Sequence, residues 1–242
     1  MSAPGGDPRT DELAANLARV EARVQAACER AGRARHELTL VVVTKTFPAA
    51  DVVRLASLGV GEVGENRDQE ASAKAADVEA ALPDGPSLRW HFVGQLQRNK
   101  ARSVARYADV VHSVDRVSLV TALAAGAHAA GRDVEVLVQV NLDPGAAGRG
   151  GAEPADVPLV ADAVGGAECL RLRGVMAVAP LGADPAPAFE RLAALAERLR
   201  ADHPAATWIS AGMSGDLEAA IGAGATHLRV GSAVLGSRPS LG

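Results

Sequence analysis

Lys45 follows the apolar run Leu38–Val43, so its stem leaves a stretch that reads as a buried strand. An amine in partly apolar surroundings is disfavoured as ammonium, its pKa falls, and it becomes a nucleophile toward carbonyl carbons. A lysine at a strand end that simply reaches water satisfies the same position. A second feature lies near the C-terminus, in ISAGMSGD (209–216) and LRVGSAVLG (228–236). Ser214 and Gly215 stand directly before a helix starting near Asp216, and Gly231 and Ser232 follow the last apolar run. Glycines let the backbone approach closely, and helix-start N–H groups with a serine hydroxyl can hold a dianion. Ordinary turns use the same residues.

These groups are positioned by a recurring cadence: a short apolar run ending in a polar residue or glycine, then an amphipathic helical stretch. The runs are Leu38–Thr46, Glu62–Asn66, Trp90–Gly94, Val110–Asp115, Val134–Asn141, Leu172–Ala179, Thr207–Gly212 and His227–Gly231. Between them, Ala50–Leu58, Val117–Ala130 and Ala188–Ala201 have helical composition and spacing. VEVLVQV and LTLVVV are nearly continuous in apolar residues, as strands covered on both faces are. Eight alternations predict a single (β/α)8 TIM-type barrel over about residues 38–238. A doubly wound open sheet is the alternative, since periodicity does not show closure. An extra helix with Leu13, Leu17, Val20, Val24 and Ala27 on one face precedes the barrel, with Asp11 as its expected cap. Residues 1–10 read as a frayed terminus, and Pro83–Pro86, Asp143–Pro154 and Gly182–Pro187 as loops within one domain, 1–242.

Composition narrows the function classes. The 242 residues are 48% hydrophobic and 22% charged, which excludes wholesale disorder; aromatics are only 2%, so Ala, Val and Leu build the core. A net charge of −4 lacks the basic footprint of a general nucleic-acid or anionic-membrane binder. Two cysteines, Cys28 and Cys169, supply neither a disulfide framework nor a four-ligand zinc site. The opening MSAPGGDPRTDEL lacks the charged and apolar regions of a secretory leader, and no apolar run is long enough to span a membrane. A soluble cytoplasmic protein is expected.

Several patterns carry less than they suggest. Gly59-Val-Gly61-Glu-Val-Gly64 matches a dinucleotide fingerprint by letter but leads from helix into strand, the wrong order. Gly212-Met-Ser214-Gly215 lacks the spacing of a nucleophile elbow. The six histidines show no metal-ligand spacing, and His91, on an apolar run, reads as a satisfied core residue. Arg98, Lys100, Arg102 and Arg106 form a basic stretch that reads most simply as a solvated face.

Taken together, VVVTKTFP (41–48), GEN (64–66), WHFVGQLQRNK (90–100), HSVD (112–115), VNL (140–142), RGVMAV (173–178), ISAGMSGD and LRVGSAVLG resemble the pyridoxal phosphate homeostasis protein family of YggS and PROSC type. The match runs in order over about residues 12–238. The resemblance implies a barrel similar to the N-terminal domain of alanine racemase, holding pyridoxal 5′-phosphate as a lysine aldimine. Carried over residue by residue, Lys45 is the Schiff-base lysine and Asn66 lies beside the ring. Ser214, Gly231 and Ser232 hold the phosphate, Arg229 faces the pyridine nitrogen, and Met176 lines the pocket. An amine for the aldehyde and a cradle for the phosphate are the two things this cofactor requires. The chain departs from the family pattern at Arg67, where an aromatic is usual, and at Gly215, where an acid is usual. Ser232 stands for the usual threonine and Arg149 for a common loop lysine.

The resemblance further implies a monomeric binding protein in vitamin B6 and amino-acid homeostasis, buffering the cofactor or delivering it to apo-enzymes. The competing expectation is a weak pyridoxal phosphate-dependent racemase, lyase or transaminase, and a third is a degenerate barrel that binds no cofactor. Two-base racemisation needs a proton donor opposite the lysine, supplied in alanine racemases by a tyrosine from a further C-terminal domain. The one tyrosine here, Tyr107, falls near the predicted third helix, away from the strand ends, so a dedicated racemase is not expected. A second base at the pocket mouth, such as His91 or Asp115, would favour an enzyme.

Overall fold

The computed structural model describes residues 7–83, 85–143 and 150–236. Eight strands form: β1 (Thr39–Val43), β2 (Glu62–Glu65), β3 (Arg89–Phe92), β4 (Val110–Val114), β5 (Val134–Gln139), β6 (Leu170–Met176), β7 (Trp208–Ser210) and β8 (His227–Val230). Each pairs in parallel with its sequence neighbour, and β8 returns to β1 with Thr39 opposite His227, closing the barrel. The closed barrel, not the open sheet, is the fold. All eight apolar runs contain a strand, but the ladders stop short of the ends expected for them.

The helices are α1 (Pro8–Arg30), α2 (Ala49–Ser57), α3 (Asp68–Ala81), α4 (Ala101–Val104), α5 (Val117–Ala130), α6 (Val157–Gly165), α7 (Ala186–Asp202), α8 (Leu217–Gly222) and α9 (Ser232–Leu235). Between the sheet and these helices lies the main apolar core, built largely from Val, Leu and Ala. Leu55, Leu123, Leu192 and Ile221 come from the helix side, and Val42, Val63, Val111 and Val175 from the sheet side. The inside of the barrel is different. Val110, Leu137 and Met176 make a small apolar patch there with Trp208 against it, and much of the remainder is polar.

Helix α1 begins earlier than the apolar spacing indicated. Asp7, not Asp11, is the cap: its carboxylate accepts from the Arg9 N–H at 3.2 Å, and Pro8 takes the first helical position, where no N–H is needed. Residues 8–10, expected to be frayed, are therefore helical, and Asp11 sits in the first turn. One face of α1 buries Leu13, Val20, Val24, Ala27 and Cys28 and packs against α8 and α9. Neither cysteine forms a disulfide; Cys28 is buried and Cys169 half-buried. Among the described residues, no helix is long and apolar enough to cross a membrane.

Candidate functional site

At the C-terminal ends of the strands a cavity of about 500 Å³ opens. Its wall contains Lys45, Asn66, Ser214, Arg229, Gly231 and Ser232, six of the seven residues the sequence singled out. Apolar surface comes from Val43, Phe47, Val93, Val178 and Met213. Thr46, Met213, Gly215 and Ser232 are exposed, so the mouth faces solvent, whereas Arg229 is only 5% exposed at its floor. A second cavity of similar volume lies between α3, β3 and α4, lined by Glu79, Trp90, Arg106, Tyr107 and Arg132. The described residues that line it include no amine, and Tyr107, whose hydroxyl is buried without a partner among the described residues, belongs to it. Burial pushes the Tyr107 phenol above its ordinary pKa.

Met176 is placed differently from the expectation. Its side chain is 2% exposed and packs inside the barrel against Val110 and Leu137 rather than lining the pocket. Val178 occupies the wall instead. Successive side chains of a strand alternate, so two positions along the chain share a direction and differ by one barrel layer.

Lys45 sits in a turn that closes immediately after β1. The Phe47 N–H donates to the Thr44 carbonyl at 3.1 Å, and Thr46 adopts φ +69°, an outlier for a β-branched residue. Strain of this kind persists only where neighbouring structure over-determines it. That structure is a buried triad. The Thr44 hydroxyl donates to Glu65 Oε1 at 2.7 Å, and Lys74 Nζ contacts the same oxygen at 2.5 Å and donates to the Thr44 carbonyl at 2.9 Å. Burial, partly offset by Lys74 and Thr44, holds the Glu65 carboxyl above the usual range. Gly94 fixes the neighbouring loop: a Cβ there would lie 2.1 Å from the Asn66 carbonyl oxygen.

The two loops after β7 and β8 meet beside this turn, since β8 pairs with β1. Ser232 Oγ is 3.3 Å from Ser214 Oγ, and the Ala233 N–H donates to Ser214 Oγ at 3.3 Å. A Cβ on Gly231 would press on the Val43 carbonyl at 3.1 Å, which draws the β8 loop close to β1. Asp216 accepts from the Met213 N–H at 2.6 Å and sets the turn that presents Ser214. Helix α1 supports both loops. Arg23 donates to the Ser214 carbonyl at 3.1 Å while forking Glu218 at 2.9 and 3.0 Å, and Asn16 donates to the Val234 carbonyl at 2.8 Å.

Arg229 projects from β8 into the barrel. Its Nη1 donates to Ser210 Oγ at 2.5 Å and its Nη2 to the Ala177 carbonyl at 2.8 Å. Burial brings its pKa down to about 10, which leaves it a cation at neutral pH. Neither His91 nor Asp115 lines the pocket: His91 bonds to His112 and Glu62 deep in the barrel, and Asp115 pairs with Arg116. Arg67 is exposed, pairs with Glu70 at 3.1 Å and does not line the pocket either. Arg149 lies outside the described residues. Lys74, Glu65, Arg23 and His112 were not read from the sequence as parts of a site, and His91 was weighed only as a base at the pocket mouth. Glu65 lay within GEN, but nothing in the spacing joined Lys74 or Arg23 to these loops.

A family model described as the alanine racemase N-terminal domain matches residues 15–239. The pyridoxal phosphate homeostasis protein of Mycobacterium tuberculosis is 46% identical over 244 residues, covering 95% of this chain and 94% of its own. That of Escherichia coli is 36% identical over 231 residues, covering 94% and 97%. The structure of Synechococcus elongatus PipY with PLP bound aligns with a TM-score of 0.78 at 32% identity, over 93% of this chain and all of that one. Alanine racemase from Corynebacterium glutamicum, at 16% identity and TM-score 0.64, shares the fold over 96% of this chain and 62% of its own. The chain belongs to the alanine racemase N-terminal domain class of barrels and, within it, to the pyridoxal phosphate homeostasis protein family.

Proposed function

We propose that this protein binds pyridoxal 5′-phosphate on Lys45 and acts as a cofactor carrier in vitamin B6 homeostasis rather than as a dedicated enzyme. The observation that carries this reading is the composition of the pocket wall. It brings together one amine, two converging serine hydroxyls beside a glycine, one buried guanidinium and apolar walls. These donors fit an aldehyde, a phosphate and an aromatic ring nitrogen on one flat molecule. Among the described residues that line it there is no His, Tyr, Cys, Asp or Glu to act as a second acid–base group.

Bound cofactor supplies an electrophilic aldehyde conjugated to an electron-accepting ring. Lys45 is the residue that would hold the aldehyde end, as the one amine in the pocket wall. Ser214, Ser232 and Gly231 hold the phosphate end, and Asn66 stands beside the ring. Arg229, a cation at the ring nitrogen, opposes protonation there and weakens the ring as an electron sink. The exposed mouth at Thr46, Met213 and Ser232 supports release to a recipient enzyme. In this reading the protein acts as a cytoplasmic monomer that hands the cofactor to apo-enzymes.

The test is an absorbance spectrum of the protein with added pyridoxal phosphate, beside Lys45→Ala. A visible band that borohydride traps on the wild type only is the expected result. No trappable band returns the protein to a barrel without cofactor. Solvent exchange of the α-proton of added amino acids at turnover rates establishes an enzyme and overturns the carrier reading.

A further inference from the structure

The inside of the barrel carries an unbroken file of polar side chains, and its ends differ in kind. Arg229 donates to Ser210 Oγ; Ser210 Oγ is 2.9 Å from His112 Nδ1. His112 Nε2 is 2.8 Å from His91 Nδ1, the two rings meeting edge to face with centroids 5.0 Å apart, and His91 Nε2 bonds to the Glu62 carboxylate. His91, His112, Ser210 and Arg229 are all buried. Only Arg229 reaches the pocket wall, and Glu62 begins β2 at the opposite end of the barrel.

The direction of these bonds follows from counting protons. A guanidinium only donates and a carboxylate only accepts. The direction is set from the Glu62 end: a neutral His91 gives its Nε2 proton to the carboxylate and accepts on Nδ1 from His112 Nε2, which leaves His112 Nδ1 to accept the Ser210 hydroxyl proton while the Ser210 oxygen accepts from Arg229. Each neutral member accepts once and donates once. The reverse orientation would set a bare His91 nitrogen against the Glu62 carboxylate unless a further proton entered. Burial keeps His112 well below its ordinary pKa and therefore neutral.

The lower end holds its own charges. Arg89 lies 3.4 Å from Glu62 and also pairs with Glu135, Arg173 pairs with Glu135, and His227 lies 6.4 Å from His91 between ring centroids. Two carboxylates and two arginines balance there. Arg229 stands apart from that cluster: among the described residues no carboxylate lies within ion-pair distance of it, and the Asp216 carboxylate acts on it only through space.

We propose that the file Arg229–Ser210–His112–His91–Glu62 is a one-way chain of hydrogen bonds that orients the Arg229 guanidinium toward the cofactor ring, with Ser210, His112, His91 and Glu62 as positioning residues. The role at the ring rests on the assignment of Arg229 made above; the direction of the file does not. Ser210 occupies one edge of the guanidinium and the Ala177 carbonyl another, which leaves its remaining N–H groups for the pocket.

Two measurements test this. In the cofactor-free wild type, nitrogen-15 NMR at pH 7.5 should find His112 and His91 both neutral and both protonated on Nε2. His112 protonated on Nδ1, or either ring doubly protonated, overturns the file whether or not cofactor binds. In protein loaded with pyridoxal phosphate, the pH midpoint of the visible band should rise in Ser210→Ala and in the distant Glu62→Gln by about half a unit or more, because a loosened cation no longer disfavours the protonated imine. An unchanged or lowered midpoint in both overturns the positioning role. A wild type with no visible band refutes the cofactor assignment alone, and the tautomers still decide the file.

Discussion

The Lys74 ammonium donates to the Thr44 carbonyl at 2.9 Å, one residue before the lysine proposed to hold the cofactor. It contacts Glu65 at 2.5 Å in the same pocket, and both side chains are buried. A helix residue thus fixes the backbone from which Lys45 springs, and the left-handed Thr46 is held between this anchor and buried Phe47. Glu65 Oε2 has no partner among the described residues, so the triad leaves one buried acceptor unsatisfied.

Removing one half of that pair should therefore be costly. Lys74→Met leaves a buried carboxylate without its cation, and losses of about 3–5 kcal/mol are usual for such a cut. Lys74→Met with Glu65→Gln should recover part of it, because no lone buried charge remains. Urea unfolding of the two single variants and the double gives the coupling. A double variant no more stable than Lys74→Met alone contradicts the account.

Arg23 should matter to the phosphate more than to the fold. Its pair with Glu218 is 38% exposed on both sides, where ion pairs contribute about 0–1 kcal/mol. Its bond to the Ser214 carbonyl, however, steadies the loop that presents the serine hydroxyl. Arg23→Ala should weaken pyridoxal phosphate binding several-fold while leaving the affinity for unphosphorylated pyridoxal nearly unchanged. Equal weakening for both ligands would mean that the loop acts on the ring end instead.

Much of this architecture was legible in the sequence, and the parts that were not share a cause. The apolar runs located all eight strands because strands covered on both faces show continuous Val and Leu. They overshot the ladders, as in Leu38–Thr46 against Thr39–Val43, because the chain stays buried after it leaves the sheet; Ala177 and Ala211 are at most 1% exposed beyond β6 and β7. Lys45, Ser214 and Ser232 stood out because they are polar where runs end. His91, His112 and Ser210 sit within or at the end of runs, and which face they take depends on barrel closure, so only their burial was foreseeable. Lys74 on α3 and Arg23 on α1 reach their partners across elements, and helical spacing alone says nothing about which loop lies beneath.

The buried histidines make stability depend on pH. Burial holds His112 well below its ordinary pKa and pushes His227 down to about 3. An unfolded imidazole titrates near about 6.5. Below that pH the unfolded chain binds protons that the folded chain refuses, so stability is full above about 6.5 and declines as the pH falls through it. Each histidine contributes a slope of up to about 1.4 kcal/mol per pH unit. His227→Leu should flatten the decline by about one proton's share. Urea unfolding at pH 7.5, 6 and 5 measures it, and equal stability at all three would place the protons elsewhere.

Gly94 offers the sharpest steric test of how the site is assembled. It follows β3 by two residues, and a Cβ added there would lie 2.1 Å from the Asn66 oxygen and 2.7 Å from the Asn66 Cα. Those atoms are backbone, so no side-chain rotation relieves the overlap, and the β2 and β3 loops must separate. Overpacking of this kind costs about 1–3 kcal/mol and sometimes more. Asn66 belongs to the pocket wall, so the same displacement should lower cofactor affinity. Gly61→Ala is the control, since nothing lies within 4 Å of its added Cβ and it leaves the pocket wall untouched. Melting temperature and pyridoxal phosphate titration on both variants should show Gly94→Ala impaired in each and Gly61→Ala in neither. Normal binding by a destabilised Gly94→Ala would separate the position of Asn66 from the site.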